Sequence, residues 1–206
     1  MERFVTLTAI AAPLAEPNVD TNQLCPTRFN KVAREAPDYQ RILFHDRRFD
    51  ADGKERPEFL LNRPPWREAK IIVADRNFGC GSSRESAVYA LMAFGIRAVV
   101  ASSFGDIFRA NCLKNGLLSV QLPDDAVTAL RDSVAASQGG AVAIDLPAQT
   151  VTGPDGTTYR FEIHPLHKRC LVEGLDDFAL TDRYADEFAA FEARYRAETP
   201  WLFGER

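Results

Sequence analysis

Short apolar runs alternate with helical apolar stripes through the middle of the chain. The run KIIVA at residues 70–74 is rich in β-branched side chains and is typical of a buried strand. In residues 82–94 the apolar positions 87, 90, 91 and 94 share one helical face, and Gly95 is placed to end that helix. Residues 97–101 (RAVVA) predict a second buried strand. This stretch therefore predicts strand, helix and strand in succession.

The same alternation continues towards the C-terminus. Ser103 opens a second predicted helix with Asp106 as its capping partner, and Asn115-Gly116 stops it. Residues 117–122 predict a third strand and residues 123–136 a third helix. This order predicts an α/β fold, with helices layered on a largely parallel sheet.

Further elements flank this block. Residues 4–14 predict a strand, and residues 142–146 and 157–163 predict a hairpin around the turn sequence GPDG at residues 153–156. Residues 165–172 and 182–196 predict two more helices. No repeat or low-complexity tract divides the chain, so we expect one domain over residues 1–206.

A long excursion at about residues 30–67 has weak apolar periodicity. It is rich in basic side chains, prolines and aromatic rings, and it predicts at most one short helix. Loops of this length in compact domains are usually functional or disordered. Either a solvated surface insertion or a lid that faces a substrate or partner fits this pattern.

Composition excludes several classes of function. The chain has 206 residues, 46% of them hydrophobic, and a formal net charge of -4. This acidic balance favours neither nucleic acid nor an anionic membrane surface. No run approaches the roughly 20 apolar residues that span a bilayer, and the first residues lack the pattern of a signal peptide. We therefore expect a cytoplasmic location.

The four cysteines are scattered at positions 25, 80, 112 and 170, without a CxxC pair. Zinc sites and self-contained iron–sulfur sites normally show close ligand spacing. We therefore expect unpaired thiols, and no metal or cofactor bound by this chain.

The sequence NFGCGSSRE at residues 77–85 carries the clearest chemistry. Gly79 and Gly81 let the backbone turn sharply and approach a ligand closely. Ser82 and Ser83 lie where the helix is predicted to begin, and a helix N-terminus favours an anion. Arg84 adds a planar fork that fits a carboxylate. The pattern predicts a carboxylate or phosphate site, although a turn with a serine cap can also be purely structural.

This motif, with an alanine-containing helix after it, resembles the swivel-domain signature of the aconitase superfamily. More closely, the chain is similar to the small subunits of bacterial 3-isopropylmalate dehydratase. Further segments carry the likeness nearly end to end: NVDTNQLCPTRF, FHDRRF, SSFGDIFRANCLKNGLL, TYRFEI and GLD.

The resemblance implies a swivelling β/β/α domain whose active site is shared with a large subunit that carries a 4Fe-4S cluster. It implies dehydration and rehydration between 2-isopropylmalate and 3-isopropylmalate, small dicarboxylates of leucine biosynthesis. By the same resemblance, Ser82 is the catalytic residue that takes the carbon-bound proton. Ser83 and Arg84 bind substrate carboxylate, joined by Thr21, Asn22 and Arg28, although Arg28 is equally typical of a plain surface residue.

Two positions depart from the family pattern, which usually has aspartate in place of Asn22 and histidine in place of Ser86. These departures leave the substrate open. A related hydro-lyase for another substituted malate, of the citraconate or dimethylmalate type, is one alternative. A non-catalytic scaffold subunit and a stand-alone anion-binding module are two others.

Overall fold

The computed structural model describes residues 1–204, and its framework is one seven-stranded sheet. The strands are β1 (Thr6–Pro13), β2 (Ile71–Val73), β3 (Ala98–Ala101), β4 (Leu118–Gln121), β5 (Ala141–Asp145), β6 (Thr150–Thr152) and β7 (Thr158–Arg160). Their order is β4-β3-β2-β1-β5-β6-β7. The half from β4 to β1 is parallel, and β5, β6 and β7 extend it as an antiparallel half. The predicted α/β fold is confirmed.

Within residues 1–204, eight α-helices accompany this sheet. They are α1 (Thr21–Leu24), α2 (His45–Arg48), α3 (Glu85–Phe94), α4 (Asp106–Asn115), α5 (Asp124–Ser137), α6 (Pro165–Glu173), α7 (Asp177–Asp182) and α8 (Ala185–Glu198). Gly95 and Gly116 end α3 and α4 in the left-handed conformation, as their positions in the sequence predict. None of the helices in the described part of the chain is long and apolar enough to cross a membrane.

Successive strand residues face two separate cores. Ile72 and Val99 contribute to a core that includes the buried sides of α3 and α4. Ile71 and Val100 face the other side, where α5 packs with β5 and β6. Both faces of the parallel strands are therefore buried, which explains their continuous apolar sequences.

Helices α3 and α4 both begin later than the sequence predicts. α3 starts at Glu85 rather than at Ser82, and α4 starts at Asp106 rather than at Ser103. The hydroxyl of Ser103 does not cap a helix: it accepts a hydrogen bond from the backbone N–H of Asn77, at 2.8 Å. Contacts with distant segments hold these residues in extended loops that local propensity does not reveal.

The strands of the observed hairpin differ from the predicted ones. The turn at residues 153–156 joins β7 to β6, and β6 was absent from the prediction. The predicted strand at 142–146 instead corresponds to β5, which lies between β1 and β6. The predicted helix at 182–196 corresponds to α8, and the short helix α7 precedes it.

The excursion at residues 30–67 is anchored in the core and is not a solvated insertion. It contains α2 and three short 3-10 helices at Tyr39–Arg41, Leu60–Asn62 and Trp66–Glu68. Phe44 is fully buried although its φ of 49° is strained for a bulky residue. Arg48 is buried as well, and its Nε donates to Asn62 Oδ1 at 2.9 Å. Burial lowers the pKa of Arg48 to about 10.

Candidate active site

Three loops meet at the edge where the parallel strands β1, β2 and β3 end. The backbone N–H of Gly79 donates to the carbonyl of Val19 at 2.7 Å, and that of Thr21 donates to the carbonyl of Cys80 at 2.9 Å. On the other side, the N–H of Phe78 donates to the carbonyl of Ser103 at 3.0 Å. The loop of residues 75–84 is therefore held on both sides by backbone hydrogen bonds. In α/β sheets, this edge is the usual place for ligand binding.

Gly79 makes the tight packing of this loop possible. It has a φ of 72°, and a Cβ at this position would overlap the ring of Phe108. Phe78 is fully buried and packs edge-on against the same ring, with centroids 5.5 Å apart. Gly105 faces the carbonyl of Gly79 so closely that a side chain there would also clash. Glycine is required at both positions because backbone and ring come together without space for a Cβ.

Thr21 fixes the segment that carries the candidate catalytic serine. Its side chain is buried, and its hydroxyl donates to the carbonyl of Ser82 at 2.8 Å. Ser82 itself is exposed, so its hydroxyl faces solvent from a backbone that is held in place. Because α3 begins only at Glu85, Ser82 is not a helix cap. The Thr21 hydroxyl thus anchors the backbone of Ser82, and the substrate contact that the sequence predicts for Thr21 stays a prediction.

Asn22 and Arg84, 62 positions apart in the chain, are brought together at this loop. Nη1 of Arg84 donates to Oδ1 of Asn22 at 2.8 Å and to the carbonyl of Cys25 at 3.4 Å. The same Asn22 oxygen accepts from the backbone N–H and the hydroxyl of Thr27, at 3.0 and 2.9 Å. The amide orients Arg84 without neutralising it, so the guanidinium keeps its full charge for an anionic ligand.

A cavity of about 320 Å³ opens beside this arginine. Ser83 and Arg84 lie on its wall, together with Asn30, Val32, Arg34, Tyr39, Glu85, Ser86 and Tyr89. The guanidinium of Arg34 lies 4.5 Å above the ring of Tyr89. Burial raises the pKa of Tyr89, and the neighbouring Glu85 carboxylate raises it further. The cavity therefore combines two guanidinium groups with one carboxylate, a balance that suits an acidic ligand.

Arg28 is held differently. Its guanidinium makes a two-pronged ion pair with Asp46, and one nitrogen lies 3.2 Å from Nδ1 of His45. The hydrogen bond from Arg28 lowers the pKa of Asp46, and the same bond raises the pKa of Arg28. Arg28 is thus already paired with a carboxylate and does not line the cavity beside Arg84.

Several side chains around this cavity were not singled out from the sequence. Asn30 accepts a hydrogen bond from the hydroxyl of Ser86 at 2.9 Å, beside the buried thiol of Cys25. Burial raises the pKa of Cys25. Tyr89 could have been found, because it lies four residues after Glu85 and so on the same face of the helix. Asn30 gave no signal, since it belongs to the excursion and meets α3 only in the folded chain.

The donor set of residues 1–204 does not fit a metal or an iron–sulfur cluster. Within residues 1–204, no three His, Cys, Asp or Glu side chains converge on a point that could hold an ion. All four cysteines are free, two of them buried and two half-buried. Burial raises the pKa of Cys80 in the glycine loop, which opposes formation of the thiolate that a metal requires.

Comparisons with known proteins identify the family of this chain. Residues 1–125 match the family profile of the aconitase C-terminal domain, and residues 179–205 match the C-terminal domain of 3-isopropylmalate dehydratase small subunits. The chain is 48% identical to the 3-isopropylmalate dehydratase small subunit of Paramagnetospirillum magneticum, over 98% of this chain and all of that protein. It is also 48% identical to the corresponding subunit of a Jannaschia species, with the same coverage.

A solved structure has the same architecture. A crystal structure of 3-isopropylmalate dehydratase from Methanocaldococcus jannaschii superposes with a TM-score of 0.63. The two sequences are 26% identical, and the match covers 90% of this chain and 99% of that one.

Proposed function

The chain belongs to the family of 3-isopropylmalate dehydratase small subunits, and on this basis we propose that it supplies half of the active site of that hydro-lyase. The reaction interconverts 2-isopropylmalate and 3-isopropylmalate by loss and return of water, a step of leucine biosynthesis. One observation carries the proposal: Ser82, Ser83 and Arg84 lie on one backbone-anchored loop, and Arg84 is oriented by a neutral partner.

In this proposal, Arg84 binds a substrate carboxylate. Its planar guanidinium can donate two parallel hydrogen bonds to a carboxylate, and Asn22 uses only Nη1. Ser83 lines the cavity beside it and can add a hydroxyl donor. The apolar side of Val32 and the rings of Tyr39 and Tyr89 then face the alkyl group of the substrate.

Ser82 is the proposed acceptor of the carbon-bound proton. A serine hydroxyl is a poor base, so the developing alkoxide needs nearby positive charge. Arg84, two residues further along the same loop, is the positively charged side chain nearest to Ser82 in the sequence. The N-terminus of α3 begins only at Glu85, beyond both residues. Thr21 contributes by holding the carbonyl of Ser82, which fixes the direction of the side chain.

The complete site requires a large subunit. Family membership implies a 4Fe-4S cluster, and no donor set for one lies within residues 1–204, so we assign the cluster to that partner, where it would supply a Lewis acid for the departing hydroxyl. We also propose that residues 1–206 act as one swivel domain, since a single continuous sheet links the parallel and antiparallel halves. A cytoplasmic location remains a prediction that cell fractionation can test.

Exposed aromatic side chains at the C-terminus support the need for this partner. Phe178 is 83% exposed and Trp201 is 75% exposed, while Phe188 and Phe191 on α8 are each half-exposed. The rings of Phe191, Tyr195 and Phe203 lie together, with centroids 5.6 and 5.7 Å apart, so part of this exposed apolar surface is contiguous. Contiguous exposed apolar surface usually marks an interaction site. Changing Phe188 and Phe191 to serine should weaken co-purification with the large subunit without changing the fold of the sheet.

The test is reconstitution with a cluster-bearing large subunit, followed by ultraviolet absorbance of 2-isopropylmaleate. Ser82→Ala should lower turnover by about 10²- to 10⁴-fold, the usual contribution of a positioned proton-transfer group. Ser133→Ala, on α5 across the sheet, is the matched control and should retain full activity. Full turnover in Ser82→Ala with an intact complex would refute the catalytic role of the hydroxyl.

The same assay, run with other substrates, tests the alternative functions. Citraconate and dimethylmaleate, compared with 2-isopropylmaleate, report which alkyl group the cavity accepts. Stable binding to the large subunit without turnover of any substrate would instead indicate a scaffold subunit. Tight carboxylate binding by the chain alone would indicate a stand-alone anion-binding module.

A further inference from the structure

A second cavity lies between α4 and α6, beside the edge strand β4. It has a volume of about 490 Å³ and shares no lining residue with the cavity at Arg84. This volume lies within the range of about 300–1,000 Å³ that is usual for small-molecule sites. The proposed function uses none of the side chains that line it.

Ser119 provides a buried polar atom at this cavity. It lies on β4 between Leu118 and Val120, which face the opposite core, and it is only 6% exposed. Its hydroxyl has no hydrogen-bond partner among residues 1–204. Buried polar groups are nearly always hydrogen-bonded, so a hydroxyl of this kind in a cavity wall indicates a polar ligand atom.

Charges of both signs surround the cavity. Arg109 and Lys114 come from α4, and neither makes an ion pair within the part of the chain that the structure describes. Arg109 donates one hydrogen bond, to Oε1 of Gln121 at 3.1 Å, which leaves most of its donors available. Asp106 and Asp177 supply two carboxylates that are likewise outside any described ion pair.

The third acidic group, Asp176, is already engaged. It accepts a hydrogen bond from the N–H of Ala179 at 2.8 Å and lies 3.6 Å from the ammonium group of Met1. The available charges are therefore two positive and two negative. A ligand with one charge would satisfy only one sign, whereas a zwitterion can satisfy both.

The remaining wall is largely apolar. Leu113, Ile163 and Leu175 face the cavity. The ring of His167 lies 5.3 Å from that of His164, and burial, His164 and Arg109 together lower its pKa. Either nitrogen of an imidazole can take part in a hydrogen bond, so His167 adds a polar contact to this wall.

We propose that this cavity binds an α-amino acid with an aliphatic side chain. The carboxylate lies between Arg109 and Lys114, and the hydroxyl of Ser119 donates to it. The ammonium group faces Asp106 and Asp177. The side chain packs against Leu113, Ile163 and Leu175 in the cavity wall.

The first test is a calorimetric or NMR titration of the full chain with three probes. L-leucine carries both charges, isovalerate lacks the ammonium group, and isoamylamine lacks the carboxylate. L-leucine should bind saturably, and each analogue should bind about tenfold more weakly or worse, because each leaves one charged pair unmatched. Absence of saturable L-leucine binding, or equal binding of isovalerate, would overturn the proposal.

Single substitutions test whether L-leucine binds in this cavity. Ala110→Phe places a ring from the exposed face of α4 into the space and should abolish binding, whereas Ala135→Phe on α5 is the matched control and should leave it unchanged. Arg109→Gln, which keeps the helix intact, should weaken binding about tenfold or more. Ser119→Ala should weaken it by a smaller factor.

Unchanged L-leucine affinity in both Ala110→Phe and Arg109→Gln would show that any binding lies elsewhere. The readout is binding rather than turnover, and no lining residue belongs to the loop at Ser82. Failure of this proposal would therefore leave the proposed hydro-lyase function untouched, and the converse also holds.

Discussion

Two irregular segments of this molecule are fixed by opposite means. The loop of residues 75–84 is held by backbone hydrogen bonds to the loops on either side, so its side chains at Ser82 and Ser83 remain exposed. The excursion of residues 30–67 is held by its side chains, with Phe44, Arg48 and Asn62 buried in the interior. A loop that presents reactive groups must be anchored by atoms other than those groups.

The two arginines of the site region repeat this contrast. Arg84 rests on the neutral amide of Asn22, whereas Arg28 is paired with the carboxylate of Asp46. A neutral acceptor orients a guanidinium and leaves its charge available, while a carboxylate cancels most of that charge. We therefore expect Arg84 to contribute more to anion binding than Arg28.

The largest effect is expected from Gly79→Ala in the backbone-anchored loop. The new Cβ would meet the ring of Phe108 at a positive φ, so unfolding free energy should fall by about 2–5 kcal/mol. Gly53→Ala is a matched control in the excursion, because Gly53 also has a positive φ but nothing lies within 4 Å. It should cost only about 1–2 kcal/mol. Equal losses in urea denaturation would remove close packing as the reason for Gly79.

Arg48→Met tests whether buried side chains anchor the excursion. The substitution leaves the side-chain oxygen of Asn62 and the carbonyls of Gln40 and Leu43 without their donor. Buried acceptors without partners should lower unfolding free energy by about 3 kcal/mol. The exposed Arg63→Met is the control and should change it by less than about 0.5 kcal/mol. If denaturation gives the same small change for both variants, the excursion is held by other contacts.

Asn22→Leu sharpens the comparison of the two arginines. The substitution keeps the size of the side chain and removes the oxygen that accepts from Arg84, so the guanidinium loses the neutral partner that orients it. KM of the reconstituted enzyme should rise about tenfold, equivalent to about 1.4 kcal/mol. Gln138→Leu, at the exposed end of α5, is the control and should leave KM unchanged. A KM unaffected by Asn22→Leu would mean that Asn22 does not position Arg84 for the substrate carboxylate.

The smallest effect is expected from Asp46→Asn. Because Arg28 lowers the pKa of Asp46 in the folded chain, the ion pair stabilises the fold above the unfolded pKa of about 3.9. That contribution disappears as the pH falls through the lowered pKa. Both groups are more than half exposed, so the difference from wild type should be below about 1 kcal/mol at pH 7.

Urea denaturation of both proteins at pH 7 and at pH 2–3 provides the measurement. The wild-type advantage over Asp46→Asn should be present at pH 7 and should shrink towards zero at low pH. Asp52→Asn, at an exposed carboxylate outside the ion pairs of residues 1–204, is the control. A difference that grows at low pH would contradict the assigned direction of the pKa shift.

Much of the parallel half of the fold could be predicted, because its signals are local. The β-branched run before the loop, the apolar face of α3 and the stop at Gly95 all lie within residues 70–95. The starts of α3 and α4 could not be predicted in the same way. Bonds from Thr21 to Ser82, and from Asn77 to Ser103, come from segments distant in sequence and keep these serines out of the helices.

The same distinction between local signals and distant contacts applies to the candidate site. The sequence by itself determined the α/β order, the glycine loop and the presence of Ser82, Ser83 and Arg84 on it, since glycine conformations and apolar periodicity act over a few residues. Only the tertiary structure decided that Asn22 orients Arg84 and that Thr21 anchors Ser82. It also decided that Asp46 forms an ion pair with Arg28. The physical reason is that hydrogen bonds and ion pairs depend on distance in space, which the fold sets and which sequence separation does not reveal.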